Sequence, residues 1–183
     1  RVEKEKIGMI GASLIPNNCS LILNIGTTTE QVARALTDHK DLLVISNNIN
    51  VIQIFRNSQM RDLVIVGGGV RQSDGAIVGD EAVEFIGRYK VDYAVIGASS
   101  LDIDGTVLDF DSREVAVART ILKNARTRIL VADSSKFERS APVRICTLGD
   151  LDYVILDRQP PLEFQEAAAR EGTQILMDTP GNE

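Results

Sequence analysis

Two rhythms of apolar residues alternate along this chain. Short runs of aliphatic residues without polar alternation are followed by stretches in which apolar side chains return every three or four positions. The first pattern suits strands buried on both faces, the second helices with one buried face. Residues 3–14 place Ile7, Ile10 and Leu14 at helical spacing, and Pro16 stops that helix. Residues 20–25 (SLILNI) predict a strand, and 28–36 a helix with Val32 and Leu36 on one side. A strand at 42–45 precedes a helix carrying Ile49, Ile52 and Phe55, and a third strand at 63–66 runs into Gly67, Gly68 and Gly69. The spacing then predicts a helix over 82–89, a strand over 93–96, and a helix over 113–122 with Val115, Ala118 and Leu122 inward. Strands at 128–132 and 153–156, a helix at 162–170 and a strand at 174–177 complete the series.

Strand and helix in alternation predict an α/β fold, a mainly parallel sheet with helices on both faces. There is no internal repeat and no low-complexity linker, so 1–183 is expected to be one domain, a size that can bury a substantial core. No apolar run is long enough to span a bilayer, which leaves no membrane partner to expect. The start does not resemble a signal peptide, because Gly8, Gly11 and Pro16 break the stretch after the charged residues 1–6. The two cysteines, Cys19 and Cys146, lack metal-type spacing and are expected as reduced, half-buried thiols of a cytoplasmic protein. The one histidine, His39, lies between Asp38 and Lys40 and is expected in a solvated turn. No metal and no cofactor is expected. A net charge of −6 argues against this chain holding nucleic acid by itself. The chain opens on Arg1 rather than methionine, and it is expected to be a piece of a longer protein.

Ligands of open parallel sheets bind beyond the carboxyl ends of the strands, so the chemistry is sought there. After SLILNI come Gly26, Thr27, Thr28, Thr29 and Glu30. A glycine and three hydroxyls at a helix start suit a phosphate. Equally, Thr27 with Glu30 three residues later fits a capping box. Asn47, Asn48 and Asn50 follow the second strand, where amides could meet polyol hydroxyls or merely cap the next helix. Gly67 and Gly68 follow the third strand with Arg71 beyond, a residue that could fork onto phosphate or stay solvated. The strand at 93–96 leads to Ser99 and Ser100, then to Asp102, Asp104, Asp109, Asp111 and Glu114, a poor match to a calcium loop. After 128–132 come Asp133, Ser134, Ser135 and Lys136. Hydroxyl, amide, glycine or charged residues at successive strand ends suit a small, oxygen-rich anion such as a sugar or polyol phosphate. Neither the dinucleotide fingerprint nor the P-loop pattern occurs at any of them.

The runs IGTTTEQVARAL, VISNNINV, VGGGVR with GAIVGDEA, DYAVIGASSLDIDGTVLDFDSREVAVAR and LVADSSKFER make the chain similar to the DeoR family of transcriptional repressors, over nearly all of residues 5–161. The resemblance implies a sensor domain folded like ribose-5-phosphate isomerase and glucosamine-6-phosphate deaminase. It also implies an N-terminal winged helix-turn-helix, absent from this fragment, through which alone operator DNA would be met. Carried over by motif, the phosphate site falls on Gly26, Thr27, Thr28 and Thr29, with Asn47, Asn48, Gly67, Gly68 and Arg71 nearby. Asp80, Asp111, Glu114 and Lys136 would face the rest of the ligand. SNNINV, DGTVLDFDSREV and LDRQPP are most similar to the branch answering to glycerol-3-phosphate, which makes that the expected effector. A homodimer or homotetramer is expected, with effector binding altering how sensor domains pair. Asn24 stands where the family usually carries aspartate, which bears on ligand identity. Two other functions fit less well. One is a sugar-phosphate isomerase or deaminase with Glu114 as base and Lys136 as its electrostatic partner, but the deaminase-type histidine has no counterpart. The other is a purely structural oligomerisation domain, which gives the polar strand ends no purpose.

Overall fold

The structure, a computed structural model, describes residues 2–178. Its first half runs α1 (Val2–Leu14), β1 (Ser20–Leu23), α2 (Thr27–Ala35), β2 (Leu43–Ser46), α3 (Ile49–Phe55) and β3 (Asp62–Ile65). A short hairpin of β4 (Val70–Arg71) and β5 (Ala76–Ile77) leads to α4 (Asp80–Ile86) and β6 (Val91–Ile96). There follow β7 (Ser100–Leu101), β8 (Thr106–Asp109), α5 (Ser112–Lys123), β9 (Ala125–Val131) and a 3-10 turn at Ser134–Glu138. β10 (Val143–Thr147), a second 3-10 turn at Leu148–Asp150, β11 (Tyr153–Leu156), α6 (Leu162–Glu171) and β12 (Gln174–Met177) complete the described chain.

Seven strands, all parallel, lie in the order β12-β11-β9-β6-β1-β2-β3. Side chains alternate across them, as the pleat requires. Leu21, Leu23, Val44, Val95, Ile129, Val131 and Ile155 pack under α1, α2 and α3. Their neighbours Ile22, Ile45, Ala94, Ile96, Leu130, Val154 and Leu156 pack under α4, α5 and α6. Both faces of the sheet are therefore covered by helices, which explains the strands without polar alternation.

The order of the strands creates the site. From β1 the chain winds outward through β2 to β3, whereas β6 is laid on the other side of β1 and the chain continues outward to β12. Where winding reverses, the connections leave the sheet in opposite directions and open a crevice beyond the carboxyl ends of β1 and β6.

Several expectations are adjusted. The buried face of α1 is Ile7, Gly8, Gly11 and Ala12, not Ile7, Ile10 and Leu14. Glycines set that face because α1 rests on the backbone of α2: a Cβ on Gly8 would lie 2.5 Å from the Gln31 carbonyl oxygen. In α3 the buried residues are Val51 and Phe55 rather than Ile49 and Ile52. The antiparallel sheet β10-β8-β7 and the β4-β5 hairpin were not expected from the sequence; β4, β5 and β7 are two residues each and carry no period, and β8 and β10 are only four and five residues long. Cys19 and Cys146 are buried rather than half-buried, and burial pushes their thiols up to about 11 and about 12. His39 is not simply solvated: its Nε2 lies 2.8 Å from the Ile15 carbonyl oxygen, linking the end of α2 to the end of α1.

Close approach of α1 to α2 makes a specific demand on sequence. Gly8→Ala should lower stability by about 1–3 kcal/mol through overpacking, read as a lower urea midpoint. Gly69→Ala, whose added Cβ has nothing within 4 Å, should not lower it.

Candidate ligand-binding site

β1 ends at Leu23, and the chain passes through buried Asn24 to Gly26, which begins α2 with φ 117 and ψ 147. A side chain is strained at that φ, and only glycine adopts it freely. A glycine at this position also brings no capping side chain, and none bonds the first turn of α2. The capping box that Thr27 and Glu30 would have formed is not built. Thr27 Oγ1 instead accepts from Lys4 Nζ at 2.8 Å, and Glu30 Oε2 accepts from Asn48 Nδ2 at 3.0 Å. The leading amide groups of α2 keep the partial positive charge of an open helix end.

This helix end borders a cavity of about 530 Å³ over the β1–β6 crevice. Its wall includes Gly26 to Glu30 from the start of α2, Gly97 to Ser99 from the end of β6, and Lys136 from the turn after β9. Thr29 is fully buried, lines this wall, and its Oγ1 has no hydrogen-bond partner among the described residues. An unpartnered buried hydroxyl is costly unless something else completes it. Lys136 is placed by its turn, which Asp133 caps through the Ser135 amide at 3.0 Å and which Phe137 anchors edge-on against Phe164 of α6 at 4.9 Å. Burial holds the Lys136 ammonium below the usual lysine value, with the Asp133 charge opposing.

The remaining wall is acidic. Asp74 of the hairpin, Asp109 and Asp111 beside β8, and Glu114 of α5 all line it, with exposed Phe110 at the rim. Arg71 is held among them. Its Nε and Nη2 fork onto Asp74 at 2.9 and 2.6 Å, Nη2 also donates to Glu114, and Nη1 lies 3.6 Å from Asp111. Asp111 also caps α5 through the Arg113 amide at 2.8 Å. Burial pushes the Glu114 carboxyl above its usual value, helped by Asp109 and Asp111 and opposed by Arg71. The Arg71 bond holds Asp74 below its usual value.

Of the residues singled out by sequence, Gly26, Thr27, Thr28, Thr29, Asp111, Glu114 and Lys136 are brought together on the cavity wall. Asn47, Asn48, Gly67, Gly68, Arg71 and Asp80 are not part of that wall. Asn47 and Asn48 are fully buried and tie the hairpin to β2 and α3: Asn47 Nδ2 donates to Ile77 O at 3.2 Å, and Asn48 Oδ1 caps α3 from Asn50 N at 2.9 Å. Gly68 lets the hairpin pass close to Ile77, Arg71 meets carboxylates, and exposed Asp80 opens α4. On this wall Ser73, Asp74 and Phe110 were not singled out by sequence, and Asp74, three residues after Arg71, was the available signal.

A family profile described as the DeoR C terminal sensor domain matches residues 1–158. The chain belongs to the DeoR family. This DeoR sensor domain is 42% identical over 159 residues to the glycerol-3-phosphate regulon repressor of Haemophilus influenzae, covering 87% of the chain and 62% of the relative. To the repressor of the same name from Escherichia coli it is 36% identical over 175 residues, covering 96% and 69%. The chain therefore spans about two thirds of the length of these relatives, which are named as repressors rather than enzymes. Among solved structures, ribose 5-phosphate isomerase A of Methanocaldococcus jannaschii superposes with a TM-score of 0.53 at 15% identity, over 74% of this chain and 54% of that one. eIF2B beta from Chaetomium thermophilum gives 0.59 at 13% identity, over 82% and 47%. At those identities the likeness shows the fold, which the DeoR sensor domain shares.

The Arg71 cluster fixes a pH dependence. Removing Arg71 returns Asp74 towards its ordinary value and drives Glu114 higher. A depressed Asp74 adds stability above its unfolded value of 3.8 that disappears as pH falls, whereas a raised Glu114 loses stability as pH rises through its own titration. Arg71→Met should therefore fall behind the parent in melting temperature at neutral pH, and the gap should close as pH falls below the ordinary carboxylate value of 3.8 and through the depressed titration of Asp74. Carboxyl carbon shifts followed by NMR would show both groups titrating at higher pH than in the parent.

Proposed function

We propose that this chain is the effector-sensing domain of a transcriptional repressor of sugar or polyol catabolism, and that the cavity binds a phosphorylated metabolite. The observation that carries this reading is the uncapped start of α2, with the buried, unpartnered Thr29 hydroxyl lining the cavity at the switch point of the sheet. A phosphate oxygen there takes amide and hydroxyl donors left open among the described residues, and Lys136 supplies a charge whose desolvation the anion offsets. The Asp74, Asp111 and Glu114 carboxylates accept hydrogen bonds from ligand hydroxyls, and the Phe110 ring offers an apolar face at the rim.

Glycerol-3-phosphate is the effector this reading favours, supported by the names of the two relatives. Asn24 bears on the choice: it puts an uncharged amide in a buried position where aspartate would bring a charge, and its Oδ1 is unpartnered among the described residues. Operator DNA is met through an N-terminal winged helix-turn-helix of the longer protein, as a cytoplasmic homodimer or homotetramer whose pairing the effector alters. The acidity of this domain supports that division of labour. No helix among the described residues is long and apolar enough to cross a membrane. An isomerase would need Glu114 as a free base, whereas here Glu114 accepts from Arg71.

A thermal-shift titration of the chain with glycerol-3-phosphate, a panel of sugar phosphates and their unphosphorylated counterparts tests this. At a hundredfold excess over the dissociation constant, binding adds about 2.7 kcal/mol and raises the melting temperature visibly. One phosphorylated compound should stabilise the parent but neither Thr28→Ala nor Lys136→Ala. Equal stabilisation by the unphosphorylated partner, or none by any phosphate, would overturn the reading.

A further inference from the structure

Lys4 lies on the first full turn of α1, half-buried, and donates from Nζ to Thr27 Oγ1 at 2.8 Å. It reaches the first residue of α2 from another helix, across an interface where Gly8 already brings the two helices into backbone contact. A second hollow, of about 320 Å³, is lined by the basic Lys4, Lys136, Arg139 and Arg158 together with the acidic Glu3, Asp133 and Asp157, and Lys136 lines the main cavity as well. Two ammonium groups thus share one wall beside an uncapped helix start. They are close enough for the Lys4 charge to bear on Lys136. Like charges in such proximity repel, and an anion placed between them reverses the sign of that interaction. An ammonium carries three donors, so Lys4 can hold Thr27 and an oxyanion together.

From this geometry we infer that Lys4 is a direct ligand of the bound phosphate, so that effector binding fastens the first turn of α1 to the start of α2. The inference rests on the anion site proposed above and adds to it a residue from an element outside the cavity wall. Val2 of this turn is exposed, and a helix terminus is where local opening costs least. A charge-assisted bond from Lys4 to the ligand would close it. α1 is also the element through which the proposed DNA-binding segment joins, so its first turn is where occupancy of the cavity becomes a change in the path of the chain.

The experiment pairs calorimetric titration with amide exchange, using inorganic phosphate and glycerol-3-phosphate as probes. Lys4→Met should weaken binding of both probes roughly ten- to hundredfold, the range of a lost charged hydrogen bond. Lys4→Arg should restore much of the affinity. Lys6→Met, on the same helix but paired with Asp178 at 3.1 Å, should bind like the parent and so controls for loss of helix charge. Amides of α1 should exchange more slowly with either probe bound to the parent, and not in Lys4→Met at equal occupancy. A parent that binds the probes while Lys4→Met matches it in affinity and exchange would overturn the role of Lys4 and leave the anion site standing. A parent that binds neither probe would overturn both.

Discussion

The polar interior of this protein is organised around one unmet requirement: α2 begins in a crevice of the sheet with amide donors, a buried hydroxyl and no cap. That situation follows from topology, because the reversal of winding between β1 and β6 holds the helix start away from the neighbouring connections. It is kept open by Gly26, which supplies the needed backbone angle and no capping oxygen. The residues able to close it from within are otherwise engaged. Glu30 takes the amide of Asn48, and Thr27 takes the ammonium of Lys4. A helix end left in this condition is a standing preference for an oxyanion.

Most of the framework was legible in the sequence, because buried parallel strands and amphipathic helices leave strong periods. The strands at Tyr153–Leu156 and Gln174–Met177 coincide with their expectations, and the other elements differ at their ends by up to three residues, as at the start of β9 and the end of α4. The antiparallel pieces were not legible, since Val70–Arg71 pairs with Ala76–Ile77 through contacts that no local pattern announces. The cavity wall was legible where side chains follow strands directly, as at Gly26, Thr28 and Lys136. It was misplaced where an equally polar residue serves the scaffold. Asn47 and Asn48 have the chemistry of ligand residues, but their amides hold the hairpin and cap α3. Lys4 was invisible because its partner lies on another helix, and a charged turn reads as solvated until the tertiary contact is known.

Arg71 shows why charge alone is a poor guide to an anion site. Its guanidinium lies among Asp74, Asp111 and Glu114, which leaves the acidic wall only partly neutralised and the arginine fully engaged. Positive potential for an anion comes instead from a helix end and from lysines, one of them weakened by burial. These sources lie at α2 and at the turn after β9, whereas the carboxylates lie on the hairpin and beside β8.

That separation has a consequence for how such a domain diversifies. The anchor is built largely from the backbone at the start of α2, whose φ at Gly26 only glycine adopts freely, so it tolerates little change. The acidic wall is carried by the β4-β5 hairpin, the end of β8 and the start of α5, all outside the seven-stranded sheet. Under the proposed function, one scaffold is retuned from one metabolite to another through the hairpin and the segment from β8 to α5, with the grip on the common anionic group inherited unchanged.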